Sequence, residues 1–118
     1  MSAAQPVDLE HLARYTGGES ALNAEVLQLF ADQSAKLMRE LQVVLESRDA
    51  RGWRQITHSL KGAAKGIGAF SLADVAAEAE PIDPVLQQQE ALSALANLKA
   101  KSEIVTSFIR DYLDRPAH

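Results

Sequence analysis

The chain has no cysteine. Disulfides, thiolate metal sites and cysteine nucleophiles are excluded at the outset. Aromatic residues are scarce, with one Trp, two Tyr and three Phe in 118 residues. The apolar content rests instead on Ala, Leu and Val, and the first two favour helix. No apolar run approaches the roughly 20 residues needed to cross a bilayer. Met1-Ser2-Ala3-Ala4-Gln5-Pro6 has neither the basic start nor the apolar stretch of a secretory signal. Positive charge is in deficit, 12 Lys and Arg against 16 Asp and Glu for a net −4. General nucleic-acid binding usually needs a basic surface, so that class is disfavoured. Alternating strand patterns with hairpin signals, internal repeats and low-complexity tracts are missing too. These absences leave one soluble, cytoplasmic, helical domain spanning 1–118, with no membrane or nucleic-acid partner.

What is present is a series of helices with their caps. Asp8 caps a short helix, Leu9 to Tyr15, that Thr16-Gly17-Gly18 ends. Residues 1–7 before it and 115–118 at the other end read as flexible. From Ser20 to Ser47, Val26, Leu27, Phe30, Leu37, Leu41, Val44 and Leu45 recur at spacings of three and four. Asp49 is the expected N-cap of the next helix, Ala50 to Gly66, with Gly66-Ile67-Gly68 as its stop. Ser71-Leu72-Ala73-Asp74 reads as a capping box for a helix to Glu80, which Pro81 ends. Asp83-Pro84 then supplies an N-cap and a first-turn proline for a last helix reaching Asp114. The expected fold is all-α, an antiparallel up-down-up-down four-helix bundle with a short extra N-terminal helix.

The third helix carries the chemistry. At about 100° per residue, Trp53, Ile56, Leu60, Ala63 and Ile67 fall within an arc of roughly 80°, a core stripe. His58 lies about 180° from its centre, facing solvent. Arg51, Arg54, Lys61, Gly62 and Lys65 cluster around it. Such cations disfavour the imidazolium, so a neutral, nucleophilic ring is expected at physiological pH. They would attract a phosphoryl group once the ring carried one. A solvated histidine on a charged outer face has much the same pattern. Gly62 separates the two readings, because a glycine inside a helix costs about 1 kcal/mol relative to alanine and stability alone would not place it there. One turn from the histidine, it clears space for something bulky and anionic.

At these residues the sequence resembles the histidine-containing phosphotransfer (HPt) domains of phosphorelays. The pattern is His58-Ser59-Leu60-Lys61-Gly62, then Gly68-Ala69 and Leu72, with Leu29-Phe30, Asp32 and Asp49 upstream. Thr57 departs from it where alanine is usual, and Ala79 stands before Glu80 where leucine is common. The resemblance implies that His58 accepts a phosphoryl group on Nε2 from the aspartyl phosphate of one response-regulator receiver domain and passes it to another. One of these receivers would belong to a hybrid histidine kinase. The receiver would supply the Mg²⁺ and most of the catalysis, leaving this chain without a cofactor or metal of its own. Lys61 would assist electrostatically, Gly62 would give access, and Arg54 and Lys65 would line the phosphate and partner face. A free-standing monomer is expected.

Other classes fit less well. An autophosphorylating histidine kinase typically has an acidic residue directly after the histidine, where this chain has Ser59, and there is no room for an ATP-binding domain. The phosphotransfer domain of a chemotaxis-type kinase has a similar motif. A metal or hydrolytic site lacks its ligands, since His11 and His118 lie near opposite ends. A non-catalytic adaptor bundle, with His58 incidental, is the plainest alternative; it should tolerate His58→Gln.

Overall fold

The helices form where most of those caps stand. The computed structural model describes residues 5–115, and over that range it holds α1 (Leu9–Thr16), α2 (Ser20–Glu46), α3 (Ala50–Ile67), α4 (Phe70–Ala79) and α5 (Gln88–Leu113). The expectations for residues 1–4 and 116–118, His118 among them, lie outside the described residues. The Asp8 carboxylate accepts from the N–H groups of Glu10 and His11, satisfying two donors that the helix leaves open. Val7 precedes this cap and Leu12 is the fourth helical residue, and both are buried. They occupy the positions of a hydrophobic staple. Val7 therefore belongs to the core and not to a flexible N-terminal segment.

Asp49 caps α3 by accepting from the Gly52 N–H. A Cβ at Gly52 would sit 2.5 Å from Asp49 Oδ2 and 2.8 Å from Val44 Cγ1, so any larger residue at this α2–α3 corner would have to displace the capping carboxylate or Val44. α3 ends at Gly68, whose φ of +81° is left-handed, and the Asp8 N–H donates to the Gly68 carbonyl at 3.0 Å. The start of α1 is thereby tied to the end of α3.

Two expected caps do different work. Ala69, fully buried, takes the N-cap position of α4 and the helix starts at Phe70. Ser71 is then already inside the first turn, and no capping box forms. Asp83 does act as a cap, accepting from Val85 and Leu86, but of a single turn. Gln87 leaves helical geometry at φ −127°, ψ 55°. Its own side chain accepts from the Asp83 N–H, and α5 begins only at Gln88.

α2 packs on α3 and α5, and α4 packs on the same two helices, closing a ring of four; α1 rests against α2 and α3. Short connections make neighbours antiparallel, so this is the up-down-up-down bundle. Its core holds Leu27, Leu41, Trp53, Leu60, Leu72, Leu98 and Ile109. Several of the few polar groups inside are paired across helices: the Ser34 and Ser102 hydroxyls lie 3.0 Å apart, and the Asn23 amide donates to the Tyr112 hydroxyl at 3.3 Å. Among the described residues no buried side-chain polar atom lacks a partner, as a specific core requires. No described helix is long and apolar enough to cross a membrane.

Candidate functional site

The buried stripe of α3 is Trp53, Thr57, Leu60, Ala64 and Ile67, with Ile56 and Ala63 only partly covered. The stripe expected from apolarity is thus turned by part of a residue step. Thr57 can enter the core because its hydroxyl donates back to the backbone, 2.9 Å from the Trp53 carbonyl and 3.1 Å from that of Arg54. The rotation has a consequence for the site. His58 now stands about 140° from the stripe's centre, and Lys61 about 80° from it, at the edge facing α4.

His58 remains the exposed residue of the group, its side chain 69% accessible. It is not surrounded by cations alone. Nδ1 lies 2.6 Å from Oε1 of Glu80, the residue that caps the C-terminus of α4. The other carboxylate oxygen of Glu80 accepts from Lys61 Nζ at 2.9 Å. Lys61 and Glu80 are both largely covered, at 22% and 24%. The Lys61 ammonium, and after it the His58 ring, hold the Glu80 carboxyl below its ordinary value of 4.5, with burial opposing them. Glu80 is therefore ionised at neutral pH and can only accept. His58 must present Nδ1–H to it, which leaves the lone pair of the neutral ring on Nε2.

The position of Glu80 is itself secured. The indole N–H of Trp53 donates to the Ala79 carbonyl at 2.9 Å, pinning the end of α4 onto α3 one residue before the carboxylate. Sequence reasoning missed Glu80 as a partner of His58, since 22 residues separate them. The available signal was the helix boundary: Pro81 stops α4 where its last side chains reach the middle of α3.

Gly62 is as open as its place in the motif suggests. A Cβ built there meets nothing within 4 Å, so no packing requires glycine at this point. Arg54 and Lys65 are exposed on the same face, and among the described residues neither side chain makes a hydrogen bond or an ion pair. They contribute positive potential without touching the imidazole. α3 as a whole carries Arg51, Arg54, Lys61 and Lys65 and no carboxylate. No group of three or more metal-ligating side chains occurs among the described residues.

An exposed imidazole with one nitrogen tied to a carboxylate, open space a turn away and a cationic surround can take and release an anionic electrophile. The comparisons with known proteins point the same way. The family model described as the Hpt domain matches residues 25–115, well over half of the chain. The crystal structure of histidine-containing phosphotransfer protein B (HptB) from Pseudomonas aeruginosa PAO1 is similar, with a TM-score of 0.85 and 25% sequence identity over 96% of this chain and 98% of that one. Comparison with curated proteins returned no match.

Proposed function

The chain belongs to the Hpt domain family, and from that premise we propose that His58 is the residue on which this histidine phosphotransfer protein carries its phosphoryl group. Members of the family are phosphorelay intermediates, not kinases, and interact with receiver domains. The single observation that carries the assignment is the contact between His58 Nδ1 and Glu80, which leaves Nε2 outward and nucleophilic.

The chemistry needs little from this chain. The Nε2 lone pair attacks the phosphorus of a receiver's aspartyl phosphate. An N–P bond forms as the P–O bond to the aspartate breaks, and the carboxylate leaves with the electron pair. The ring gains positive charge, shared with Nδ1–H, directly opposite the Glu80 carboxylate. In the onward step a second receiver's aspartate attacks phosphorus and the neutral Nδ1–H imidazole departs. No proton is supplied or removed in either direction. A carboxylate already in place for the charged ring stabilises it without reorganisation. Lys61 keeps that carboxylate ionised and oriented, so it acts on the ring through Glu80. Gly62 admits the phosphoryl oxygens and the partner's loops. Mg²⁺ comes with the receiver.

Around the histidine, Arg54, Gly62 and Lys65 are exposed on one face of α3. This face is the receiver-docking surface in our reading; its cations steer the approach of an acidic receiver pocket. One receiver belongs to a hybrid kinase, the protein works as a monomer, and the relay is cytoplasmic. Wild type and His58→Gln, each incubated with a prephosphorylated receiver and Mg²⁺, test the assignment. Acid-labile label on the wild type alone is expected. Label on a folded His58→Gln protein rules the assignment out.

A further inference from the structure

Charge is segregated along this chain more sharply than its net value suggests. Between Lys65 and Lys99 there is no Lys or Arg, while Asp74, Glu78, Glu80, Asp83 and Glu90 all fall there. Glu80 is neutralised by Lys61. Among the described residues, Glu78 and Glu90 make no ion pair. Both line an open groove of about 420 Å³ between α4 and α5.

The groove is built as a helix seat. From α4 it takes Val75, Glu78 and Ala79, from the connection after it Ile82, and from α5 Gln89, Glu90, Ser93, Ala94 and Asn97. Positions 90, 93, 94 and 97 form one face of α5, so the groove runs along that helix for about 11 Å, or two turns. Val75, Ala79, Ile82 and Ala94 supply its apolar surfaces. The connection that closes one end, between Ile82 and Gln89, leaves Leu86 82% exposed, the most accessible large apolar side chain described. Glu78 and Glu80 are two residues apart on α4, about 160° around the helix. The carboxylate serving His58 and the one lining the groove therefore leave α4 in nearly opposite directions.

We propose that the α4–α5 groove is a second docking site, taking an amphipathic helical segment of a partner protein whose apolar stripe is flanked by Lys or Arg. The apolar surfaces set the need for such a stripe, and the unpaired carboxylates, with no cation beside them, set the sign of its flanks. A partner seated there leaves the imidazole open to a receiver, so this bundle can be held by one protein while it exchanges phosphoryl groups with another.

The probe is a synthetic peptide of about 14 residues, roughly four turns, with leucines on one helical face and Lys and Arg on the rest. It is titrated into the isotope-labelled full chain and followed by amide chemical shifts. Saturable shifts confined to Val75–Ile82 and Leu86–Asn97 are expected. Affinity should fall at least about tenfold, both for a peptide of the same composition scrambled to disperse its leucines and for the Glu78→Lys/Glu90→Lys protein. Glu78→Gln/Glu90→Gln should fall between, which guards against a folding defect in the charge-reversed pair. Equal binding of the scrambled peptide, shifts centred on α3, wild-type affinity in the charge variants, or no saturable binding each overturns the proposal.

Discussion

Gly62→Ala should make the protein more stable and a poorer phosphoryl acceptor at once. The glycine lies in the interior of α3 with nothing within 4 Å of its would-be Cβ, so a methyl there meets solvent. Replacing glycine by alanine at an open helical position gains about 0.5–1 kcal/mol, largely by restricting the unfolded chain. At an unfolding entropy of about 2.1 cal/mol/K per residue, that raises Tm by about 2–4 °C. Gly62→Leu gains less because, unlike alanine, it loses some rotamer freedom in the helix without packing against anything, but it should still fold. Its branched side chain would occupy the space one turn from the imidazole, where the phosphoryl oxygens must pass. Transfer from a phosphorylated receiver should fall modestly for alanine and by about 100-fold or more for leucine, the scale of an ångström-level misplacement of the reacting groups. Gly66→Ala is the control. It too is exposed with nothing within 4 Å, but it lies two turns from His58, so it should raise Tm and leave transfer near the wild-type rate. Thermal melts and single-turnover transfer on the same preparations decide the matter. A folded Gly62→Leu protein that transfers at the wild-type rate refutes the access argument. A Gly62→Ala protein that is no more stable refutes the claim that the fold has no use for the glycine.

Other substitutions probe the supports of the site. Gly52→Ala forces a methyl against Asp49 and Val44 and should cost about 1–3 kcal/mol in a denaturant melt, the usual penalty for overpacking. Trp53→Phe removes the indole donor from the Ala79 carbonyl, which keeps only the Ile82 N–H; the lost hydrogen bond should cost about 0.5–1.5 kcal/mol, with slower transfer because the carboxylate next along is less well held. Glu80→Gln keeps an acceptor for Nδ1 but removes the charge opposite the ring, so transfer should slow while the melt changes little. Because Glu80 is held below its ordinary 4.5 in the folded protein, any stability that it adds over glutamine is fully present above pH 4.5 and is lost only as pH falls through the lowered value. The difference in stability between wild type and Glu80→Gln should therefore shrink as pH falls below 4.5; a difference that persists unchanged once the carboxylate is protonated contradicts the pairing.

Most of the bundle was legible because its caps are local. Asp8, Asp49, Gly17 and Gly68 act within a few residues of themselves, and each stands where its helix begins or ends. The failures came where competing local signals met tertiary context. Asp83-Pro84 reads as the start of a long helix, yet the Gln87 side chain returns to the Asp83 N–H and the helix restarts behind it. Ser71 reads as a cap until the left-handed Gly68 and the buried Ala69 start α4 earlier. Ile56 outranks Thr57 on any apolarity scale, but a threonine whose hydroxyl bonds back to its own helix packs as readily, and that difference turns the face on which Lys61 sits. The exposure of His58 and Gly62 on one outer side of α3 was legible from their spacing on that helix. Glu80 was not, since its role exists only once α4 docks on α3. It changes the expected chemistry, for the group in contact with the imidazole is a carboxylate, and Lys61 bears on the ring through it.

The central claim is that Glu80 holds Nδ1–H so that the phosphoryl group goes to Nε2 of His58. Long-range proton–nitrogen spectra of the histidine-labelled protein, before and after transfer from a phosphorylated receiver, test it most directly. The account predicts a protonated Nδ1 on His58 at the start and phosphorus coupling on its Nε2 afterwards. Coupling on Nδ1, or on the ring of His11, would contradict it.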